Sequence, residues 1–222
     1  MSASIIRSRS MITKTLSRMA WEEIEDGAVL QEDGIIKAVG TFKELSAKNP
    51  GVSVIGSGND IMLPGFVNGH HHVGLTPVQL GSPDMPLELW FVTRLVIRQL
   101  DLYLDTLYSA FEMISSGITT VQHIHGWMPG TLSEIQTRSN QVIKAYEDIG
   151  MRVSYCYALR DQNRLVYQAD DEFVASLPKE LQEPMKRHFA RFKASGDETM
   201  GLFASLYEQH NAKGRVKIQL AP

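Results

Sequence analysis

The fold is decided by residues 63–72, which read LPGFVNGHHH. An apolar run passes here directly into a polar cluster, and residues two apart on a β-strand project to the same side. His70 and His72 are therefore predicted to share one side of a strand, while His71 points to the other. Imidazole nitrogens suit zinc and other borderline divalent metals, which lower the pKa of a bound water toward neutrality. A lone His-x-His pair is also compatible with a solvated loop, so its context has to decide.

That context is an alternation of strand and helix patterns from residue 61 onward, which favours a parallel sheet wrapped by helices. The predicted strands are residues 61–70, 118–125, 152–159 and 215–220. One predicted helix places on one face Leu104, Leu107, Tyr108, Phe111 and Ile114, and Gly117 ends it. A second helix starts near Ser133, where Ser133-x-x-Gln136 suits a capping box, and Gly150 closes it; a third lies around residues 200–210. Four such steps are half of a (β/α)₈ barrel, whose sites form at the carboxyl ends of the strands.

Residues 1–60 read differently, as short strand-like pieces broken by turn residues. The clearest turn is Glu32-Asp33-Gly34 between two apolar runs, because glycine supplies the positive φ that a tight hairpin requires. The pattern predicts two domains: a small β-unit over residues 1–60, and the first four βα units of a barrel over residues 61–222.

Composition narrows the class of ligand and the compartment. With 43% hydrophobic and 21% charged residues the chain is ordinary for a globular protein, and a net charge of -3 provides no basic face for nucleic acid or anionic membranes. We expect a small-molecule substrate. The single Cys156 cannot form an internal disulfide and is expected to be a buried apolar residue. Without a secretion signal or an 18-residue apolar run, a cytoplasmic location is expected.

Three segments carry a family resemblance. Residues 64–72, with the pattern Pro-Gly-Phe-Val-Asn-x-His-x-His, resemble the first-strand signature of the amidohydrolase superfamily. Residues 27–40 resemble the opening of the small β-domain in the cytosine-deaminase and chlorohydrolase-like branch, and residues 116–121 are similar to the segment that enters the second barrel strand. The resemblance covers most of residues 25–160.

The resemblance implies an α/β fold, the first half of a metal-dependent (β/α)₈ TIM-type barrel preceded by a small β-sandwich domain. It implies one divalent metal ion, zinc before iron or manganese, with His70 and His72 as ligands. The implied chemistry is hydrolysis of non-peptide carbon–nitrogen bonds, foremost the deamination of a heterocyclic small molecule. Amide, urea-type or dechlorinating hydrolysis is the alternative, and a non-catalytic assembly or binding relative is a third.

Relatives take their remaining metal ligands and an acid/base glutamate from later strands, so the catalytic acid/base of this protein is unknown and the chain alone is expected to be inactive. A homodimer or a complementing C-terminal half is the expected partner. Some relatives use a carboxylated lysine on the fourth strand. Lys217 lies early in that strand here, away from its carboxyl end, and is not assigned as a ligand.

Five further residues are predicted to bind substrate. His123 and His125 form a second His-x-His at the end of the second strand and are expected to line the pocket or handle protons; hydrogen-bonded strand-end residues and, less favoured, metal ligands are the alternatives. Trp127 and Gln79 are candidates for the pocket wall. Arg160, after the third strand, could recognise polar substrate edges or belong to a charged loop network.

Overall fold

The structure, a computed structural model, describes residues 3–72, 85–86, 89–90, 93, 100–126, 128–160, 163–212 and 214–221. The chain divides into two compact units, Met1–Gly65 and Phe66–Pro222. Among the described residues, no helix combines the length and the apolar character needed to cross a membrane.

The first unit consists of short strands and one helix. Its elements are β1 (Ala3–Arg7), β2 (Ser10–Ser17), β3 (Ala20–Glu25), β4 (Gly27–Glu32), β5 (Ile35–Thr41), α1 (Phe42–Lys48), β6 (Ser53–Ile55) and β7 (Ile61–Met62). They form two sheets, with strand orders β5-β4-β1-β6 and β3-β2-β7. Asp33 and Gly34, with φ of 51° and 79°, make the tight turn between antiparallel β4 and β5, so the predicted hairpin is confirmed. Buried Ile5, Leu30 and Leu45 form the core of this unit.

The structure corrects the predicted boundary after residue 60 and the predicted strand over residues 61–70. Ile61–Met62 is a separate short strand that pairs with β2 inside the first unit. Pro64 follows, and a proline has no N–H to donate to a sheet ladder. The next strand begins only at Phe66, so the boundary lies at Gly65.

The second unit alternates strand and helix. Its elements are β8 (Phe66–His71), α2 (Leu102–Ser115), β9 (Ile118–His125), α3 (Leu132–Ile149), β10 (Arg152–Ala158), α4 (Asp170–Ser176), α5 (Lys179–Phe189), α6 (Gly196–His210) and β11 (Val216–Ala221). The four strands form one parallel sheet in the order β11-β10-β9-β8. The predicted second, third and fourth strands are confirmed to within one residue at each end. The segment between β10 and α6 contains two helices, α4 and α5.

Helix ends follow local chemistry. The capping box of α3 is not Ser133 with Gln136 but Thr131 with Glu134, whose carboxylate accepts the Thr131 N–H at 2.7 Å. Both pairs have the same spacing, and threonine is an equally suitable cap. Gly150, at φ 75°, closes the helix as predicted.

One face of this sheet is packed against α2, α3 and α6. We call it the helix face; its core residues include Val121, Val153, Val216, Val142 and Leu206. The opposite face carries alternate residues of the strands, such as Gln122, Ile124 and Ser154. On α2 the predicted apolar stripe does lie together, but it is exposed in this chain, with Leu104, Tyr108, Phe111 and Ile114 all at least 41% accessible. Helix α2 instead turns Ala110 and Met113 toward the sheet.

Candidate metal centre

The two metal-ligand candidates are aimed by a β-bulge. Asn68 lies opposite Val121, and His71 lies opposite His123, so β8 takes three residue steps where β9 takes two. Register partners in a sheet share a face, which places both Asn68 and His71 on the helix face. Strict alternation from Asn68 would have sent His70 to that same face. The extra residue therefore turns the His-x-His pair to the opposite face.

On that face His70 and His72 meet. Their Nε2 atoms are 2.9 Å apart, and their rings are at 76° to each other. The Nδ1 atom of His72 lies 2.9 Å from the backbone carbonyl of Ile124. A carbonyl only accepts, so Nδ1 carries the proton, and Nε2 of the neutral ring presents its lone pair toward His70. The predicted pairing of His70 with His72 is thus present in the structure.

These two side chains fit a divalent metal. Both Nε2 atoms can lie within the zinc–nitrogen distance of about 2.0–2.1 Å from one ion, because they are only 2.9 Å apart. A histidine that ligates a metal typically donates its other ring N–H to a carbonyl or carboxylate, as His72 does to Ile124. Within the described part of the chain, no group of three or more histidine, cysteine or acidic side chains could hold an ion.

The structure corrects the predicted placement of His123 and His125 in the substrate pocket. Both lie on the helix face, with 0% and 7% of their surfaces exposed. The ring of His123 contacts that of His71 at 5.4 Å, and its Nδ1 is 2.9 Å from the Tyr146 hydroxyl on α3. The extra residue in β8 makes His71, not His70 or His72, the register partner of His123. The odd-numbered residues near the carboxyl end of β9 therefore face the helices, on the side opposite the His70–His72 pair. His123 and His125 are instead hydrogen-bonded residues at the end of a strand, which is the alternative interpretation of this segment.

His125 belongs to a buried hydrogen-bonded chain. Its Nδ1 lies 2.7 Å from the Tyr155 hydroxyl, which donates to the Ser139 hydroxyl at 2.9 Å. Burial, with Arg138 and His72 adding to it, lowers the pKa of His125 to about 4. Burial also lowers the pKa of His123 well below its usual value and raises the pKa of Tyr155. These groups are neutral near pH 7 and connect β9 to β10 and α3.

His71 lies on the same helix face. Burial lowers its pKa, and the neighbouring His72 acts in the same direction. Among the residues that the structure describes, its buried Nε2 has no hydrogen-bond partner. The His71 side chain is therefore held by packing rather than by a polar partner at that atom.

Arg160 lies two residues beyond β10, at the carboxyl edge of the sheet, and lines a cavity of about 180 Å³. The cavity is also bounded by Met128, Tyr157, Phe192 and the first turn of α6. Strands β8 and β10 flank β9, so two strand spacings, roughly 10 Å, separate the strand ends that carry the histidine pair and Arg160. Both features thus lie at the carboxyl edge, but the cavity is on the helix face, where Tyr157 and Ile135 are buried, and the histidine pair is on the opposite face. Trp127 and Gln79 lie outside the described residues.

Arg164, in the cavity wall, connects that wall to the helices that follow β10. Its Nε binds the Asp170 carboxylate at 2.6 Å, and its guanidinium stacks over Phe189 at 4.7 Å. Gly130, after β9, forms a bridge with Phe192. The cavity wall is therefore built from loops that follow two different strands.

Lys217 does not approach the histidine pair. It is exposed, and its Nζ donates to the Asn211 backbone carbonyl at 2.7 Å, before the start of β11. This placement agrees with leaving it out of the ligand set.

Sequence reasoning missed two features of this edge. The first is the role of Asn68, whose Oδ1 accepts the His70 backbone N–H at 3.1 Å inside the bulge. Its signal was the Asn68-Gly69 dipeptide within a strand, because a glycine inside a strand often marks a bulge. The second is Tyr157, whose hydroxyl-bearing side chain lines the cavity; nothing in the pattern of β10 distinguished it from neighbouring Tyr155.

Comparison with known proteins agrees with this architecture. The model of the amidohydrolase family matches residues 61–209, about two thirds of the chain. The chain belongs to the amidohydrolase family. Two curated relatives are 5-methylthioadenosine/S-adenosylhomocysteine deaminases. That of Syntrophomonas wolfei is 28% identical over 64% of this chain and 34% of its own length, and that of Thermodesulfovibrio yellowstonii is 30% identical over 54% and 29%.

Solved structures show the same fold. A triazine hydrolase from Arthrobacter aurescens superposes with a TM-score of 0.69 at 23% identity, covering 99% of this chain and 46% of that one. A zinc-bound adenosine deaminase from Xanthomonas campestris gives 0.62 at 16% identity, covering 100% and 43%. The second unit of this amidohydrolase therefore has a TIM-barrel-type α/β fold. The chain spans about a third of the curated relatives and under half of these structures.

Proposed function

We propose that the protein is a metal-dependent hydrolase of non-peptide carbon–nitrogen bonds and that His70 and His72 are two of its metal ligands. The observation that carries this proposal is the pair itself, with Nε2 atoms 2.9 Å apart and the His72 Nδ1–H directed at the Ile124 carbonyl. The pair sits at the carboxyl end of the first strand, the end where barrels of this type assemble their sites.

The metal we propose is one zinc ion, with iron or manganese as the alternatives, because imidazole nitrogens suit all three. Such an ion supplies a water nucleophile near neutral pH by lowering the pKa of water. The chain's own part would be to hold the two Nε2 atoms side by side, so that both rings could turn their lone pairs to one ion. The Ile124 carbonyl keeps His72 in the required tautomer.

Deamination of a heterocyclic small molecule is the proposed reaction. It is supported by the names of the curated relatives, which are deaminases of adenosine derivatives. The triazine hydrolase fold neighbour favours the second candidate, hydrolysis at a halogenated or otherwise substituted heterocycle, since the two ligands do not distinguish leaving groups. Amide or urea-type hydrolysis, and a non-catalytic binding relative, remain the further alternatives.

Arg160 is proposed to bind the polar end of the substrate. Arg160 lines the 180 Å³ cavity together with residues of the first turn of α6. The neighbouring Arg164 is already paired with Asp170, which leaves Arg160 as the more available charge. We therefore propose that substrates carry a hydrogen-bond acceptor or anionic group remote from the reacting carbon.

The remaining ligands are proposed to come from further barrel strands, in a complementing C-terminal half or in a second copy of the chain. Within the described sheet, β8 and β11 each pair on one side only. Unpaired strand edges of this kind invite another strand. The first unit is proposed to be the N-terminal part of a β-sandwich. We further propose a cytoplasmic enzyme without nucleic-acid or membrane partners.

The test combines this chain, loaded with zinc, with a separately expressed C-terminal half of the Syntrophomonas wolfei relative. Ammonia release is followed with methylthioadenosine and guanine, and chloride release with a chlorotriazine. We expect ammonia in the mixture, none from either half alone, and none when His70→Ala/His72→Ala replaces the native chain. Lys217→Met is the matched control and should retain activity. Chloride without ammonia would select the second candidate, and a zinc-loaded mixture without any product would contradict the enzymatic proposal.

A further inference from the structure

Three side-chain interactions stabilise the bulge in β8. Two of them are made by residues that have no role in the proposed chemistry. Asn68 Oδ1 accepts the His70 backbone N–H at 3.1 Å. The His71 ring packs edge-on against His123 at 5.4 Å and 81° on the helix face. The third interaction is the bond from His72 to the Ile124 carbonyl. Each of these contacts involves a residue of the bulge or one directly next to it.

A bulge removes backbone groups from the regular ladder, so the His70 N–H, at an exposed position, pairs with an acceptor other than a neighbouring strand. Asn68 supplies that acceptor from within the strand, and its Nδ2 is itself placed 3.6 Å from the Met113 sulfur on α2. The side chain is thus anchored on the helix face while its oxygen holds the first residue of the pair.

His71 fixes the other end of the bulge. It is register partner to His123, which is fully buried and hydrogen-bonded to Tyr146. His123 is therefore a rigid surface for the His71 ring. If His71 left that surface, the strand could slip by one residue, and a one-residue slip moves every side chain to the other face. The contact observed at this position is the edge-on packing of the two rings.

We propose that Asn68 and His71 are positioning residues that hold the bulge and thereby aim His70 and His72 at one point. This inference rests on the proposed metal role of the pair, but its geometric part concerns the tautomer and direction of His72 and holds with or without an ion. Asn68 acts through the oxygen that accepts the His70 N–H, and His71 acts through its ring. For each residue one substitution keeps the acting group and another removes it.

The experiment uses the full chain with ¹⁵N-labelled histidine. Imidazole ¹H–¹⁵N correlation spectra report the ring tautomer, and competition with a chromophoric chelator reports zinc affinity. Asn68→Ala and His71→Leu should each lose the single Nδ1–H tautomer of His72 and bind zinc about 10–100-fold more weakly, the usual cost of removing outer support from metal ligands. Asn68→Asp, which keeps the oxygen, and His71→Phe, which keeps the ring, should retain both within about threefold.

Val216→Ala is the matched control, because Val216 is buried in β11 of the same sheet, far along it from the pair. It should lower the thermal midpoint without changing the His72 tautomer. The inference is overturned if Asn68→Ala and His71→Leu keep the tautomer and affinity, or if Asn68→Asp and His71→Phe lose as much as the disruptive variants. The native chain could fail to bind zinc while the variants still change the His72 tautomer as expected. That result would contradict the proposed function but support the positioning inference.

Discussion

The chain carries two His-x-His segments of identical spacing at the ends of neighbouring strands, and the fold uses them in opposite ways. His70 and His72 face each other away from the helices, with their Nε2 atoms 2.9 Å apart. His123 and His125 lie beneath the helices, each with its Nδ1 bonded to a tyrosine hydroxyl. The same two-residue spacing therefore produces the proposed ligand pair on one strand and buried structural groups on the next. Spacing puts two side chains on one side of a strand, whereas register decides which side it is.

The two His-x-His segments are expected to differ most in how much each contributes to the free energy of unfolding. His123→Ala should lower the free energy of unfolding by about 3 kcal/mol, because it opens a cavity at a fully buried position and leaves the Tyr146 hydroxyl without its partner. His70→Ala, at an exposed position, should change it by less than about 0.5 kcal/mol. Urea unfolding of both variants measures the difference. Equal losses would contradict the assignment of the two segments to different faces.

The pH dependence of stability sharpens the same contrast. The pKa of His125 is about 4 in the folded chain and near 6.5 in the unfolded chain, so the unfolded state binds more protons between these values. Stability is then fully present above pH 6.5 and is lost as the pH falls toward 4, by about 3 kcal/mol from this group. His123 acts in the same direction.

Urea unfolding at pH 7.5, 6 and 5 tests this expectation against His125→Gln, which cannot titrate. The native chain should lose stability more steeply with falling pH than the variant. Parallel slopes would show that His125 is not held neutral by burial.

A smaller effect is expected where the buried chain of hydroxyls is cut. Tyr155→Phe removes the hydroxyl that joins His125 to Ser139, and it should cost about 1 kcal/mol while leaving zinc binding unchanged. Thermal unfolding and zinc competition measure the two quantities. A loss of zinc affinity comparable to that of a ligand variant would place the second segment in the metal centre after all.

The smallest effect belongs to Lys217→Met. Lys217 bonds the Asn211 carbonyl at the amino end of β11, far from the carboxyl edge, so zinc affinity should change by less than about twofold. A loss of tenfold or more would return Lys217 to the ligand set.

Much of this architecture is readable from the residues. β-branched runs located β9 to the residue, Gly150 marked the end of α3, and the pairing of His70 with His72 followed from the two-residue period of a strand. These features depend on neighbours along the chain. Local periodicity and turn chemistry are sufficient for them.

The failures concern relations across the sheet. The placement of His123 and His125 required the register of β9 against β8, which one extra residue between Asn68 and His71 determines. The domain boundary required knowing that Ile61–Met62 pairs with β2. Gly69 and Pro64 mark these places locally, but which strand pairs with which, and in what register, is set by contacts between distant segments.

The central claim is that the first segment, and not the second, binds the metal. Zinc content after equilibrium dialysis tests it most directly, with the native chain, His70→Ala/His72→Ala and His125→Gln measured side by side under conditions where all three are folded. The account predicts zinc in the native chain and in His125→Gln, and its loss from the double variant. Zinc retained equally by the double variant, or lost only from His125→Gln, would contradict it.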